Sequence, residues 1–264
     1  MIEVIVIGTG NLGSHLCKAI ESLQGPTKNM SGNAKFSQKP SQIFLKGYFN
    51  RSQIKVEGLT APLLSTLGDV TADLIIITTT DQSIPQVSND VPLGPVMVHM
   101  SGSVPLDALS KHISRGVYYL PQTFSKNRSV SIADIPACIE YNNERSQKMV
   151  ELLCDSLSRK RYYLNSKQRK QLHIAAVFTN NFVNHCYHLA QELMKQQNLD
   201  ESILEPLLKE TISKCSELNA YESQTGPARR GDEQTINNHL EMLDDQQKEV
   251  YRAISNSIIS TYVN

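Results

Sequence analysis

The chain has 264 residues, and its 26 Lys and Arg balance 26 Asp and Glu. A net charge of zero argues against the electrostatic footprint of a nucleic-acid or anionic-membrane binder, and no apolar run reaches the ~20 residues that span a bilayer. The five cysteines, at 17, 138, 154, 186 and 215, are odd in number and form no CxxC. With no secretory signal ahead of the first strand, this fits reduced thiols in a cytoplasmic protein.

In chain order, Ile2 to Ile7 is a β-branched run with Glu3 as its one polar residue, as in a strand buried on both faces. Leu12, Leu16, Ala19, Ile20 and Leu23 then recur at helical spacing. Gly25 to Gln42 is polar and rich in Gly, Pro, Ser and Asn, and reads as a surface insertion. Further strands are predicted over Ile43 to Ser52, Ala72 to Asp81, Pro95 to Ser103, Gly116 to Ser125 and Ile135 to Asn142. Helices are predicted over Pro105 to Ser114 and Glu144 to Ser158. Such alternation implies an α/β fold with a doubly wound parallel sheet of the Rossmann type. After Asn165 the pattern turns wholly helical. Ser166 to Gln197 lacks Gly and Pro, Asp200 to Leu218 follows, a turn covers Gln224 to Asp232, and a final helix runs from about Glu233 to Ser260 with Asp232 as N-cap. The expected division is a sheet domain over residues 1–165 and an all-α domain over 166–264.

The first strand ends in GTGNLG: Gly8, Thr9, Gly10, Asn11, Leu12, Gly13. A lone GxGxxG is weak evidence, but here it joins a strand to a helix. Gly8 permits the tight turn, Gly10 lets backbone approach a diphosphate, and Gly13 lets the helix pack close to the sheet. The helix N-terminus offers free N–H groups and partial positive charge to phosphates. A glycine-rich turn without ligand is the alternative. At the end of the second strand stand Asn50, Arg51 and Ser52, with no carboxylate to meet a ribose diol. A guanidinium and a hydroxyl suit a 2′-phosphate, so NADP(H) is expected over NAD, unless Arg51 is a solvated loop cation. Thr79 and Thr80, after the third strand, and Ser101, after the fourth, should face the same crevice, since ligands bind outside the carboxyl ends of parallel strands. Asp81 is expected to cap the next helix.

On the first long helix, His173, Asn180 and Asn184 fall within about 20° of one line at uniform α-helical spacing. The helix is apolar almost all round and should be buried. The three polar groups form either a structural hydrogen-bond ladder or the wall of a catalytic site. In the turn TGPARRGD, Arg229 and Arg230 offer guanidinium groups to a substrate carboxylate or phosphate, or else Arg230 pairs with Asp232.

The motifs GTGNLGSHL, FNRS, VHMSGS, LPQTFS, HIAAVFTNNFVNH and QTGPARRGD, in this order, resemble a bacterial family of Rossmann-like NADP oxidoreductases with a C-terminal helical domain of unknown function. More distantly, the layout is similar to pyrroline-5-carboxylate reductase, ketopantoate reductase, the deazaflavin-dependent NADP reductases and 6-phosphogluconate dehydrogenase. LPQT resembles the Met-Pro-Asn-Thr of the pyrroline-carboxylate enzymes, which implies that Gln122 and Thr123 lie near a nicotinamide. The resemblance also implies a homodimer through the helical domain. Where those dehydrogenases use a Lys and an Asn, this chain would have to use Lys170 or His173 with Asn180. No metal is expected. The expected activity is hydride transfer to or from a small polar carbonyl or imine compound bearing an acid group. His173 would transfer the proton, Asn180 and Asn184 would line the site, and Arg230 would hold the acid. A non-catalytic NADP(H)-binding regulatory module is the rival. An S-adenosylmethionine site is disfavoured by Arg51, where a carboxylate would be needed.

Overall fold

A computed structural model of the chain describes residues 1–24, 42–68 and 70–263. The expected insertion therefore lies outside the described residues, except for Gln42. The chain divides into two compact units, Met1–Asn180 and the remainder from Asn181.

The first unit contains β1 (Ile2–Ile7), α1 (Asn11–Ser22), β2 (Ile43–Phe49), β3 (Leu74–Ile77), α2 (Ile84–Asp90), β4 (Val96–His99), β5 (Arg115–Tyr119), β6 (Ala137–Tyr141), α3 (Glu144–Leu157), β7 (Arg161–Tyr163) and α4 (Ser166–Ala176). The strands form one sheet in the order β2-β1-β3-β4-β5-β6-β7. Alternate residues of each strand serve two apolar layers. Val4, Val6, Leu74, Ile76 and Val98 pack with Leu16 and Ile20 of α1 and Val150 and Leu153 of α3. On the other face, Ile5, Ile7, Ile75, Ile77 and Met97 pack with Ile84 of α2 and Leu109.

β1 to β5 are parallel as expected, but β6 runs antiparallel to β5, and β7 lies parallel to β6. A parallel return needs a crossover of a dozen or more residues, usually a helix. Between Tyr119 and Ala137 the chain forms only a 3₁₀ turn at Ile132–Asp134. The helix expected over Pro105 to Ser114 is likewise a single 3₁₀ turn, Leu106–Leu109. Only Leu109 of that turn is buried, so there is no longer apolar face to sustain a helix.

The single helix expected over Ser166 to Gln197 is interrupted. A π-helical segment, Val177–Phe182, separates α4 from α5 (Val183–Gln196), and the boundary between the compact units falls inside it. The sequence placed the change of architecture at 165/166. In the structure α4 belongs with the sheet, because its inward face is bolted there by Arg169. The expectation that this helical run is buried does not hold: Arg169 is its one buried residue, and Phe178 is 62% and Phe182 50% exposed.

The second unit holds α5, α6 (Glu205–Glu217), two single turns α7 (Ala220–Ser223) and α8 (Pro227–Arg230), α9 (Glu233–Glu241) and α10 (Asp245–Tyr262). Asp232 caps α9 as expected, accepting from the Thr235 N–H. The long final helix is broken at Met242 to Asp244, where Asp244 and Gln247 form a capping box. No described helix is long and apolar enough to cross a membrane.

Gly13 sets how closely α1 approaches β1. A Cβ there would lie 1.9 Å from the Gly8 carbonyl oxygen and 2.5 Å from Thr78 Oγ1, whereas one at Gly10 would meet nothing within 4 Å. Gly13→Ala is expected to lower stability by about 3 kcal/mol, and Gly10→Ala by about 1 kcal/mol or less. Urea unfolding of the two variants checks this.

Candidate functional site

The carboxyl ends of β2, β1, β3, β4 and β5 line up along one edge of the sheet. The order reverses between β1 and β3, since the chain goes outward from β1 to β2 and then returns to β3; this is the switch point where open α/β sheets place their ligands. Gly8 follows β1 with φ 96°, a left-handed conformation that favours glycine. Its N–H donates to the Phe49 carbonyl, and its carbonyl accepts from Thr78 Oγ1 at 2.5 Å. The loop then enters α1 with no side-chain cap on the helix. The first-turn N–H groups therefore remain available to an anion. Beside the loop, Thr79 Oγ1 is buried with no hydrogen-bond partner among the described residues. Thr80 is exposed at the start of the next turn and its hydroxyl meets Ser83 at 3.0 Å. The cap position therefore falls on Thr80, and Asp81 is the first residue of the short turn.

The end of β2 is tied to the same loop. Asn50 is 8% exposed. Its side-chain amide donates to Thr9 Oγ1 and to the Ile54 carbonyl, both at 2.8 Å, and its oxygen accepts from the Ile54 N–H and Ser52 Oγ, both at 3.0 Å. All four hydrogen-bonding positions of the amide are used within the protein. Asn50 thus holds the turn, while Arg51 is left exposed at its tip.

Farther along the edge, Ser101 Oγ accepts from the N–H groups of Ser103 and Val104 at 3.0 Å and folds the chain after β4. That fold presents Gly102 to α4. A Cβ on Gly102 would stand 2.7 Å from His173 Nδ1 and 2.9 Å from His173 Cβ. Tyr119, closing β5, places its hydroxyl 3.2 Å from the same Nδ1. His173 therefore stands at the strand ends, beside the segments that follow β4 and β5. From β1 to β5 is three strand spacings, or about 14 Å. After β5, the Gln122 side-chain oxygen accepts from the Thr123 N–H, and both residues are exposed. The following Ser125 carbonyl lies 3.0 Å from His15 Nε2, and Phe124 packs on that ring, so His15 of α1 supports this loop.

Other expected residues are placed differently. Asn180 is exposed in the first unit and Asn184 is exposed in the second. The line through His173, Asn180 and Asn184 assumed uniform α-helix. The intervening π segment, with its i→i+5 bonding, breaks that spacing. Arg230 is exposed, with its guanidinium 3.9 Å from Asp232. Lys170 points to solvent, one residue after the buried Arg169. The sequence singled out none of Tyr119, Gly102, His15 or Arg169. Gly102 and His15 stood inside quoted motifs, but nothing local marks Tyr119 or Arg169. Tyr119 reads as strand core, and its partner is 54 residues away.

The fold and crevice define a Rossmann-type α/β protein with an added helical region. Residues 135–258 match the domain of unknown function DUF2520. A candidate NADP oxidoreductase from Bacteroides fragilis is 33% identical, superposes with a TM-score of 0.83, and matches over 98% of each chain. The chain belongs to this DUF2520 family of Rossmann-like proteins. Two solved structures share the fold at 12% identity. One is a pyrroline carboxylate reductase from Plasmodium falciparum with NADP bound, at TM-score 0.58 over 98% of each chain. The other is a reductive aminase from Aspergillus terreus in complex with NADPH and ethyl levulinate, at TM-score 0.70 over 99% of this chain and 94% of that one. No curated protein matches the chain.

His99, at the end of β4, accepts from the Ser101 N–H through Nδ1 at 3.2 Å. Burial, and then the charge of Arg169, lower its pKa from 6.5 to about 3. The unfolded chain thus takes up this proton first as the pH falls. The resulting stability is fully present above about pH 6.5 and is lost between there and about pH 3. Burial lowers His112 in the same direction. His99→Asn is expected to flatten the acid side of the Tm-versus-pH profile relative to wild type, as measured by calorimetry.

Proposed function

We propose that the protein is an NADP(H)-dependent oxidoreductase acting on a small polar carbonyl or imine compound that bears an acid group. The observation that carries this reading is the crevice beside β1. Open space stands where a Cβ at Gly10 would point, the first turn of α1 lacks a side-chain cap, and Thr79 Oγ1 is buried with no partner among the described residues. These are features of a cradle that fits a diphosphate. Its residues would be Thr9, Gly10, Asn11, Leu12 and Gly13. Arg51 and Ser52 would meet a 2′-phosphate, held in place by Asn50. Thr80 and Ser101 border the same edge, and Gln122 and Thr123 would lie beside the nicotinamide. The NADP and NADPH held by the Plasmodium and Aspergillus proteins support the choice of cofactor.

When bound, the cofactor supplies the hydride. The chain's own contribution is to orient the substrate and handle the accompanying proton. His173 is the candidate for that proton, because an imidazole nitrogen can both give and take a proton and this one sits at the strand ends. Asn180 would fix a substrate oxygen. In calorimetric titrations, Arg51→Ala is expected to weaken NADPH binding by about tenfold or more while leaving NADH unchanged. Equal binding of both cofactors by both proteins would remove the NADP reading. His173→Ala is expected to reduce turnover by about 100-fold with NADPH affinity retained. Binding of NADPH without hydride exchange with any keto or imino acid would favour the regulatory module instead.

The same reading includes a homodimer through the helical unit. α5 and α6 contain no buried residue, and helices of their length are marginal alone in water. On and flanking α6, Ile203, Leu207, Ile212 and Leu218 are each more than half exposed. A second copy of the chain would cover such a surface. Leu207→Glu is expected to convert dimer to monomer in light scattering. A wild-type protein that is monomeric at micromolar concentration would refute this part.

A further inference from the structure

The His173 ring is held on two sides. Tyr119 meets it edge-on, with ring centroids 6.0 Å apart and planes at 74°, and the Tyr119 hydroxyl lies 3.2 Å from Nδ1. Gly102 supplies bare backbone on another side, where a Cβ would stand 2.8 Å from His173 Cγ. Tyr119 itself is buried within the first unit, beside Val117 and Cys138. Its hydroxyl has one proton to give and makes no second hydrogen bond among the described residues, and His173 Nε2 makes none.

We propose that Tyr119 is a positioning residue for His173: its hydroxyl donates to Nδ1, which fixes the proton of the neutral imidazole on Nε2, the nitrogen left to meet a substrate. The chemical consequence rests on the oxidoreductase reading, but the placement of the proton does not. Several groups bear on the direction of the bond. Burial pushes the Tyr119 phenol above its ordinary value, Cys138 and Asp81 push the same way, and the Arg169 guanidinium opposes them. The phenol therefore keeps its proton at neutral pH. A phenol O–H is also a better donor than a neutral imidazole N–H, so O–H to N is the favoured direction.

This arrangement gives His173 a defined part in a reduction. In the neutral form, Nε2–H donates to a carbonyl oxygen or imine nitrogen and polarises the bond. In the protonated form, Nδ1–H turns to donate to the Tyr119 oxygen. Bound NADPH would supply the hydride to the carbonyl carbon, and His173 Nε2–H would give its proton to the oxygen as that atom takes up the C=O electron pair, so that an alcohol would form. The ring left neutral keeps its other proton against Tyr119 until water reprotonates Nε2.

The test is made on cofactor-free full-length protein carrying isotope-labelled histidine, by ring-nitrogen NMR at a pH above the imidazole titration. The spectrum of His173→Gln identifies the His173 signals. Wild type is expected to show Nε2 protonated and Nδ1 unprotonated but hydrogen-bonded. In Tyr119→Phe, which keeps the ring packing, the Nδ1 resonance should move toward that of a free imidazole nitrogen. Gly102→Ala, which pushes the ring off its seat, should give the same movement with Tyr119 intact. With NADPH and a turned-over substrate, Tyr119→Phe should lower kcat about tenfold at unchanged KM for NADPH. A proton on Nδ1 in wild type, or an Nδ1 resonance unmoved in Tyr119→Phe, overturns the proposal. Failure to bind NADPH would count against the oxidoreductase reading alone, because the ring-nitrogen spectra need no cofactor.

Discussion

The buried guanidinium of Arg169 holds the strand-end edge of the sheet and α4 together. It is fully buried on α4, pairs with Glu140 of β6, and donates to the Val104 carbonyl at 2.6 Å. Ser166 completes the cluster by donating to Glu140 through both its N–H and its hydroxyl, while its Oγ accepts from the Leu106 N–H. Three segments are joined by one charge pair: the chain after β4, the sixth strand and the start of α4. A pair of this kind contributes little relative to a well-packed apolar substitute, but removing either partner alone strands a charge in the interior, at a cost of about 3–5 kcal/mol. Its value lies in specifying one docking of α4. His173 stands one turn after Arg169, so that docking also delivers the imidazole to Gly102 and Tyr119.

The same charge reaches beyond its partner. His99 lies nearby, and Arg169 is the second cause, after burial, of its strongly depressed pKa. The imidazole at the end of β4 is thereby kept neutral. The imidazole on α4 is only partly buried, whereas that of His99 is wholly buried with its own Nε2 unpartnered among the described residues. Two histidines at one sheet edge thus have different fates, set by burial and by hydrogen-bond partners rather than by residue type.

At the other end of the crevice, close packing does the corresponding work. Gly13 brings α1 against the Gly8 carbonyl, and Asn50 stitches the β2 turn to Thr9. Asn50, expected to touch a ligand, spends its whole amide on the protein, which is what leaves Arg51 and the glycine loop in fixed relation. Ser101 does the same for Gly102. Residues read from the sequence as ligand contacts are in these two cases the supports of the residues beside them.

The sequence by itself determined the α/β class, the parallel strands β1 to β5, the glycine loop between β1 and α1, and the place of His173 on the helix after the sheet. These follow from short-range physics: β-branched runs with apolar side chains on both faces, and glycines where a strand turns into a helix. Tertiary structure alone decided the reversal of β6, the π segment between His173 and Asn184, the allegiance of α4 to the sheet, and the pairing of Tyr119 with His173. The docking of α4 and the Tyr119–His173 pair depend on groups 29 and 54 residues apart, and the reversal of β6 on the absence of a crossover helix; no local periodicity encodes which distant side chain will meet a given atom. Uniform helical spacing is a property of an isolated helix. Here the π segment Val177–Phe182, with its i→i+5 bonding, falls between His173 and Asn184 and breaks that spacing.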